Sequence, residues 1–179
     1  MKASAKDPVK HWKGSADAKG RRFGIVVSRY NEYLTDKLLE NALKTLKAHG
    51  ADARRVHVAH VPGAFEVPLA AKKLIRRVRP DALITLSVVI RGSTKHFDQV
   101  VDQCAKGVRE LSMESEVPVI LGMISAEKAA DAAERVDSKR FNKGKEWALA
   151  AIEMANLSRK LSSPRKRGSS LIPAKRSRE

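Results

Sequence analysis

The chain has 179 residues, 42% of them hydrophobic, which is enough apolar material for one full core and not for two. Its formal charge is +16, yet residues 1–22 carry +5 and residues 158–179 carry +7, leaving +4 for the 135 residues between. Mean hydropathy is negative and no apolar run reaches membrane-spanning length, so a transmembrane helix is excluded. The polar opening MKASAKDPVKHWKGSADAKG lacks the apolar centre of a secretory signal, and the cytoplasm is the expected compartment.

The two basic ends, rich in Lys, Arg, Ser, Gly and Pro, are expected to be disordered, with one folded unit over 23–157. Charge held in such tails supports non-specific nucleic-acid contact at most, because no base-reading motif accompanies it. The single cysteine, Cys104, cannot form an internal disulfide and is expected as a small buried hydrophobe on a helix face.

In chain order, FGIVVS at 23–28 reads as a first strand and Arg29, Tyr30 and Asn31 as the loop beyond it. From Glu32 to His49, Leu34, Leu38, Leu39, Ala42, Leu43 and Leu46 recur at three- and four-residue intervals, which predicts an amphipathic helix stopped by Gly50. Residues 56–60 form a short second strand, and VPGAFE at 61–66 the loop after it. His57 and His60 lie three apart on that strand and point to opposite faces, so they do not make a metal pair. A second helix runs over 67–77 with Pro68 in its first turn, carrying Leu69, Ala70, Leu74 and Ile75 inward.

The densest chemistry is in DALITLSVVIRGSTKHFD, residues 81–98. Leu83 to Ile90 is apolar apart from Thr85 and Ser87, as expected of a strand buried on both faces of a parallel sheet. It empties into Arg91, Gly92, Ser93, Thr94 and Lys95, after which His96 opens a helix whose apolar side holds Phe97, Val100, Val101, Cys104, Val108 and Leu111. A strand, a turn of small polar residues and a helix N-terminus make an anion site, and a phosphate fits it. Gly92 lets backbone approach a ligand, while Ser93 and Thr94 can cap the helix or bind an oxyanion. In the first helical turn the positive end of the dipole favours an uncharged imidazole, which makes His96 the first choice for a general base.

VPVILGMI at 117–124 reads as a fourth buried strand, followed by a short helix capped by Ser125 and running to Arg135. A polar break at 137–142 precedes a last helix over 143–160 with Trp147, Leu149, Ile152 and Leu157 among its apolar residues. Four cycles of strand and helix predict an α/β fold: a four-stranded parallel sheet with helices on both faces. There is no GxxxxGK[ST], GxGxxG, paired CxxC, HExxH or GxSxG, so NTP hydrolysis, dinucleotide binding, zinc chemistry and serine-hydrolase chemistry lose their usual support.

Taken together, SRYN at 28–31, VPGAFEVPLAAKKL at 61–74, VVIRGSTKHFD at 88–98, VPVILGM at 117–123, NKG at 142–144 and AIEMANL at 151–157 resemble the lumazine synthases of riboflavin biosynthesis. The resemblance implies a flavodoxin-like three-layer sandwich and a reaction with neither metal nor organic cofactor. That family of transferases condenses 5-amino-6-(ribitylamino)uracil with 3,4-dihydroxy-2-butanone 4-phosphate, giving 6,7-dimethyl-8-ribityllumazine, phosphate and water. A binding paralogue that keeps the pocket with weak catalysis is the alternative.

By matching position, the resemblance implies that Tyr30 stacks on the pyrimidine and that Ala64, Phe65 and Glu66 hold the ribityl chain and flank the ring. It implies that Val88, Val89 and Ile90 wall the heterocycle, that Gly92, Ser93 and Thr94 form the phosphate turn, and that His96 transfers protons. Arg135 matches a phosphate-binding arginine and Lys143 a lysine near the ribityl group or phosphate. Two departures stand out: Leu121 replaces a Phe contributed by a neighbouring subunit, and DSKRF at 137–141 replaces a linker richer in Gly and Ala. Family members are homopentamers with the site shared between subunits, some of them stacked as decamers or closed into sixty-subunit shells.

Overall fold

The structure, a computed structural model, describes residues 9–162. Four strands, β1 (Phe23–Ser28), β2 (Val56–Val61), β3 (Ala82–Ile90) and β4 (Val119–Ala126), pair in parallel in the order β2-β1-β3-β4. Five helices connect and follow them: α1 (Glu32–Ala48), α2 (Val67–Val78), α3 (His96–Ser115), α4 (Ala129–Val136) and α5 (Lys143–Ser162). This is the doubly wound arrangement whose chain reverses its direction of growth between β1 and β3, where such sheets hold ligands.

Strand alternation divides the core into two layers. Phe23, Ile25 and Val27 of β1 join Ile84 and Leu86 of β3 against α1, α4 and α5, whereas Val26 and Leu83 meet Val67 and Ala71 of α2 and Cys104 and Val108 of α3. Burial of Cys104 between sheet and helix pushes its thiol pKa up to about 11, which makes it the inert hydrophobe expected. Gly144 sets the approach of α5 to α1: a Cβ there would come within 2.5 Å of the Leu38 carbonyl oxygen.

Several boundaries differ from the sequence reading. β4 begins two residues later than expected and is an edge strand, with Leu121 and Ser125 exposed, so it is not buried throughout. Ser125 therefore lies within β4, and α4 starts at Ala129 after Lys128 with no side-chain cap. Leu69 points outward and is 61% exposed; Val67, Ala71 and Ile75 form the inner face of α2. Ile75 is buried and Ala70 and Leu74 pack against the same layer as expected, so Leu69 alone departs from the expected inner stripe.

The basic leader is corrected over its described part: residues 9–22 do not behave as a free tail. Ala18 is fully buried in the α1/α5 layer, its N–H donates to His49 O at 2.8 Å, and Lys160 Nζ donates to Lys13 O at 2.8 Å. Asn156 holds the segment in place. Its Nδ2 donates to Ser15 O and Asp17 O at 3.0 and 2.8 Å, and its Oδ1 accepts from Arg21 Nε at 2.9 Å. Apolar composition alone undervalued this segment, because backbone carbonyls anchor it more than side chains do. Residues 1–8 and 163–179, on which the remaining tail expectations fall, lie outside the described residues.

Replacing Asn156 with Ala is expected to cost about 2–3 kcal/mol, because it strands the Arg21 side chain and two backbone carbonyls together. Chemical denaturation would show this as a lower midpoint, and limited proteolysis as cleavage within 9–20.

Candidate functional site

The carboxyl ends of β1, β2 and β3 open onto a cleft of about 550 Å³. Backbone bonds join its rims: Arg29 N–H donates to Val61 O at 2.8 Å and Tyr30 N–H to Pro62 O at 3.1 Å, which ties the β1 and β2 loops together. Asn31, in the left-handed region at φ 60°, begins α1 and sends Nδ2 to Val88 O at 2.9 Å, which ties the same loop to β3. The sequence reading gave Asn31 no role. Its signal was an Asn three residues past a strand end and directly before a helix, at a turn where Gly, Asn and Asp adopt positive φ most readily.

This bracing leaves two large aromatic faces in water: Tyr30 is 69% and Phe65 62% exposed, and both line the cleft. Ala64 is buried against the α2/α3 layer, which turns Phe65 and Glu66 outward. The Glu66 carboxylate accepts from Gly63 N–H at 2.9 Å and so stiffens the loop that carries Phe65. Val88, Val89 and Ile90 supply the wall, with Phe97 and Val100 of α3 behind it.

On the far side, Gly92, Ser93 and Thr94 are exposed and line the cleft, and nothing lies within 4 Å of where a Gly92 Cβ would stand. α3 begins at His96 after Lys95 with no side-chain cap, and the nearest substitute is a long 3.4 Å contact from His96 N–H to Thr94 Oγ1. Its first N–H groups and the positive end of a 20-residue helix are thus left to an anion. His96 shares the cleft wall with this turn.

Arg91, at the start of the turn, is committed elsewhere. Its Nη1 and Nη2 meet Asp98 at 3.1 and 2.8 Å, its Nε meets Glu127 at 2.9 Å, and its guanidinium lies 4.1 Å from the centre of the Phe97 ring. The Arg91 hydrogen bonds hold the Asp98 carboxyl below the usual carboxylate range and raise the guanidinium above its ordinary value, through Asp98 first and Glu127 second. Because the folded Asp98 pKa is the depressed one, the pair is intact at neutral pH and is lost as pH falls through the acid range.

Three expected site residues do not reach this cleft within the chain. Leu121 pairs with Thr85, four rows before the Val89–Ser125 pair, and so lies about 13 Å down the strand from the cleft wall. Arg135 is on α4, which packs against the opposite layer; its Nη1 contacts Asp131 O at 3.4 Å and its guanidinium lies 5.7 Å from the Phe141 ring centre. Lys143, in the first turn of α5, pairs with Glu146 at 2.7 Å. The DSKRF linker is an Asp137-centred turn, with Lys139 N–H on Asp137 Oδ1 at 2.8 Å and Asn142 N–H on Asp137 O at 3.0 Å.

A parallel sheet ordered β2-β1-β3-β4, with aromatic faces and an uncapped helix end around one cleft at its carboxyl edge, defines a flavodoxin-like α/β protein. The chain belongs to the 6,7-dimethyl-8-ribityllumazine synthase family, whose model matches residues 20–159. Two curated proteins named 6,7-dimethyl-8-ribityllumazine synthase, both from Clostridium kluyveri, are each 47% identical over 153 residues, covering 86% of this chain and 99% of theirs. These relatives are named as synthases, which does not favour the binding-only alternative. Among the described residues, no helix is long and apolar enough to cross a membrane.

Proposed function

We propose that the chain condenses 5-amino-6-(ribitylamino)uracil with 3,4-dihydroxy-2-butanone 4-phosphate to form 6,7-dimethyl-8-ribityllumazine, releasing phosphate and water. The observation that carries this reading is the convergence, in one cleft, of two exposed aromatic faces with an uncapped α3 N-terminus and His96. The pyrimidine amine stacks on Tyr30 with Phe65 at its flank, its polar edge against the backbone of Val88 to Ile90 and its ribityl chain along Ala64 and Glu66. The ketone phosphate places its anion on the turn of Gly92, Ser93 and Thr94.

In that pose the amine attacks the ketone carbon and loses water to form an imine, phosphate is eliminated, the second nitrogen adds to the remaining carbonyl to close the ring, and a second water departs. Each step moves a proton, and His96 carries it; its position among the residues that line the cleft supports this role. Holding both reactants in one cleft supplies the other part of the acceleration.

The functional unit is a homopentamer at least, with the cleft completed by a neighbour. Leu121, on an exposed edge strand and far from its own cleft, covers the heterocycle of the adjoining subunit. Arg135 and Lys143 bring cations to that site. The test is direct: the purified chain, given both substrates, should generate lumazine absorbance, and light scattering should give five subunits or a multiple. Ligand binding without product, or a stable monomer that turns over, would defeat this reading.

A further inference from the structure

The strand that ends at Ile90 and the helix that starts at His96 are linked by five residues. Beyond Arg91 the side chains of that link hold little: among the described residues the one side-chain hydrogen bond from 92 to 95 is the 3.4 Å contact to Thr94. What fixes the turn sits at its two ends. Arg91 N–H donates to Ala126 O at 2.9 Å, its Nε to Glu127 on the loop before α4, and its two Nη groups to Asp98 in the first turn of α3. Its flat face also covers Phe97, the residue after His96 and part of the cleft wall.

An arginine next to an anion turn would ordinarily be read as an anion ligand. Here the fork is bidentate to one carboxylate, its third edge is on a second, and its face is stacked; the local charge of Arg91, Asp98 and Glu127 sums to about −1. We infer that Arg91 is a positioning residue and not a phosphate ligand: it clasps the ends of β3, α3 and β4 so that the turn N–H groups and His96 stand ready for the phosphate-bearing substrate. This rests on the synthase reading above. Lysine cannot replace it, since a point charge cannot serve two carboxylates and a ring face at fixed angles.

The two roles predict opposite signs for one substitution. If Arg91 were an anion ligand restrained by carboxylates, Asp98→Asn would free it and tighten phosphate. As a clasp, Asp98→Asn loosens the turn. Steady-state kinetics with both substrates, together with inhibition by inorganic phosphate, should be measured for wild type, Arg91→Lys, Arg91→Gln, Asp98→Asn and Glu127→Gln.

The expected result is a rise of about 5–20-fold in KM for the ketone phosphate and in the phosphate inhibition constant for Arg91→Lys, Arg91→Gln and Asp98→Asn, with KM for the pyrimidine amine within about 2-fold. Arg91→Lys should behave like Arg91→Gln. The same assembly size and melting temperature should persist; Glu127→Gln, at an exposed carboxylate, serves if an Arg91 variant does not fold, with a smaller rise. Tighter phosphate in Asp98→Asn, rescue by Arg91→Lys, unchanged constants, or equal rises in both KM values would overturn the clasp. A wild-type chain without turnover would instead overturn the synthase reading itself.

Discussion

His96→Ala is expected to lower kcat by about 10²–10³-fold while leaving assembly and stability close to wild type. The ring is exposed, lines the cleft, and makes no hydrogen bond among the described residues, so its removal opens no cavity in either core layer. What disappears is the one imidazole among the cleft-lining residues. His96→Gln keeps the approximate length and a polar end but cannot exchange a proton at neutral pH, and it should be impaired nearly as much. Product absorbance at saturating substrate checks this; a kcat within about 3-fold of wild type for both variants would remove His96 from proton transfer.

The second expected result concerns the division of the site between subunits. Arg135→Ala alone should reduce kcat/KM about 30–100-fold, the loss of one bidentate charge-assisted contact to phosphate, and mostly through the ketone phosphate. Co-expressed at equal amounts, His96→Ala and Arg135→Ala chains should regain activity. If each cleft takes its histidine from one chain and its arginine from the next around a ring, random mixing restores both residues in about one quarter of the sites. A cleft served by its own Arg135 would give no rescue, because every chain would then lack one of the two groups. Intact α4 packing against the layer opposite the cleft is why rescue is expected.

The leader changes where engineering should be directed. Ala18 and the carbonyls of Ser15 and Asp17 belong to the folded body, so truncation at residue 22 would remove part of the α1/α5 layer and all the partners that Asn156 finds in 15–21. α5 likewise runs to Ser162, two residues beyond the expected helix end at 160 and past the expected end of the folded unit at 157. A fusion or deletion made outside residues 9–162 keeps every described contact.

Local pattern was sufficient for much of this protein. β3 was readable because Leu83 to Ile90 is apolar on both faces, α1 because its leucines repeat at helical spacing, and the anion turn because Gly, Ser and Thr follow a strand directly before a helix. Those signals are carried by neighbours in the chain and pointed to the 92–94 turn and His96, whereas Tyr30 and Phe65 were singled out only by the resemblance to the lumazine synthases.

Long-range contacts decided the rest. Whether β4 was central or at an edge depended on sheet order, which apolar content does not encode, and so the exposure of Leu121 was not legible. The partners of Arg91 stand 7 and 36 residues away, and Asn31 reaches Val88 across 57. Composition set the strands, the helices and one phosphate-ready turn, because those depend on periodicity and local backbone preference. Which charges are spent and which groups remain free for a ligand was settled only when distant segments met in space.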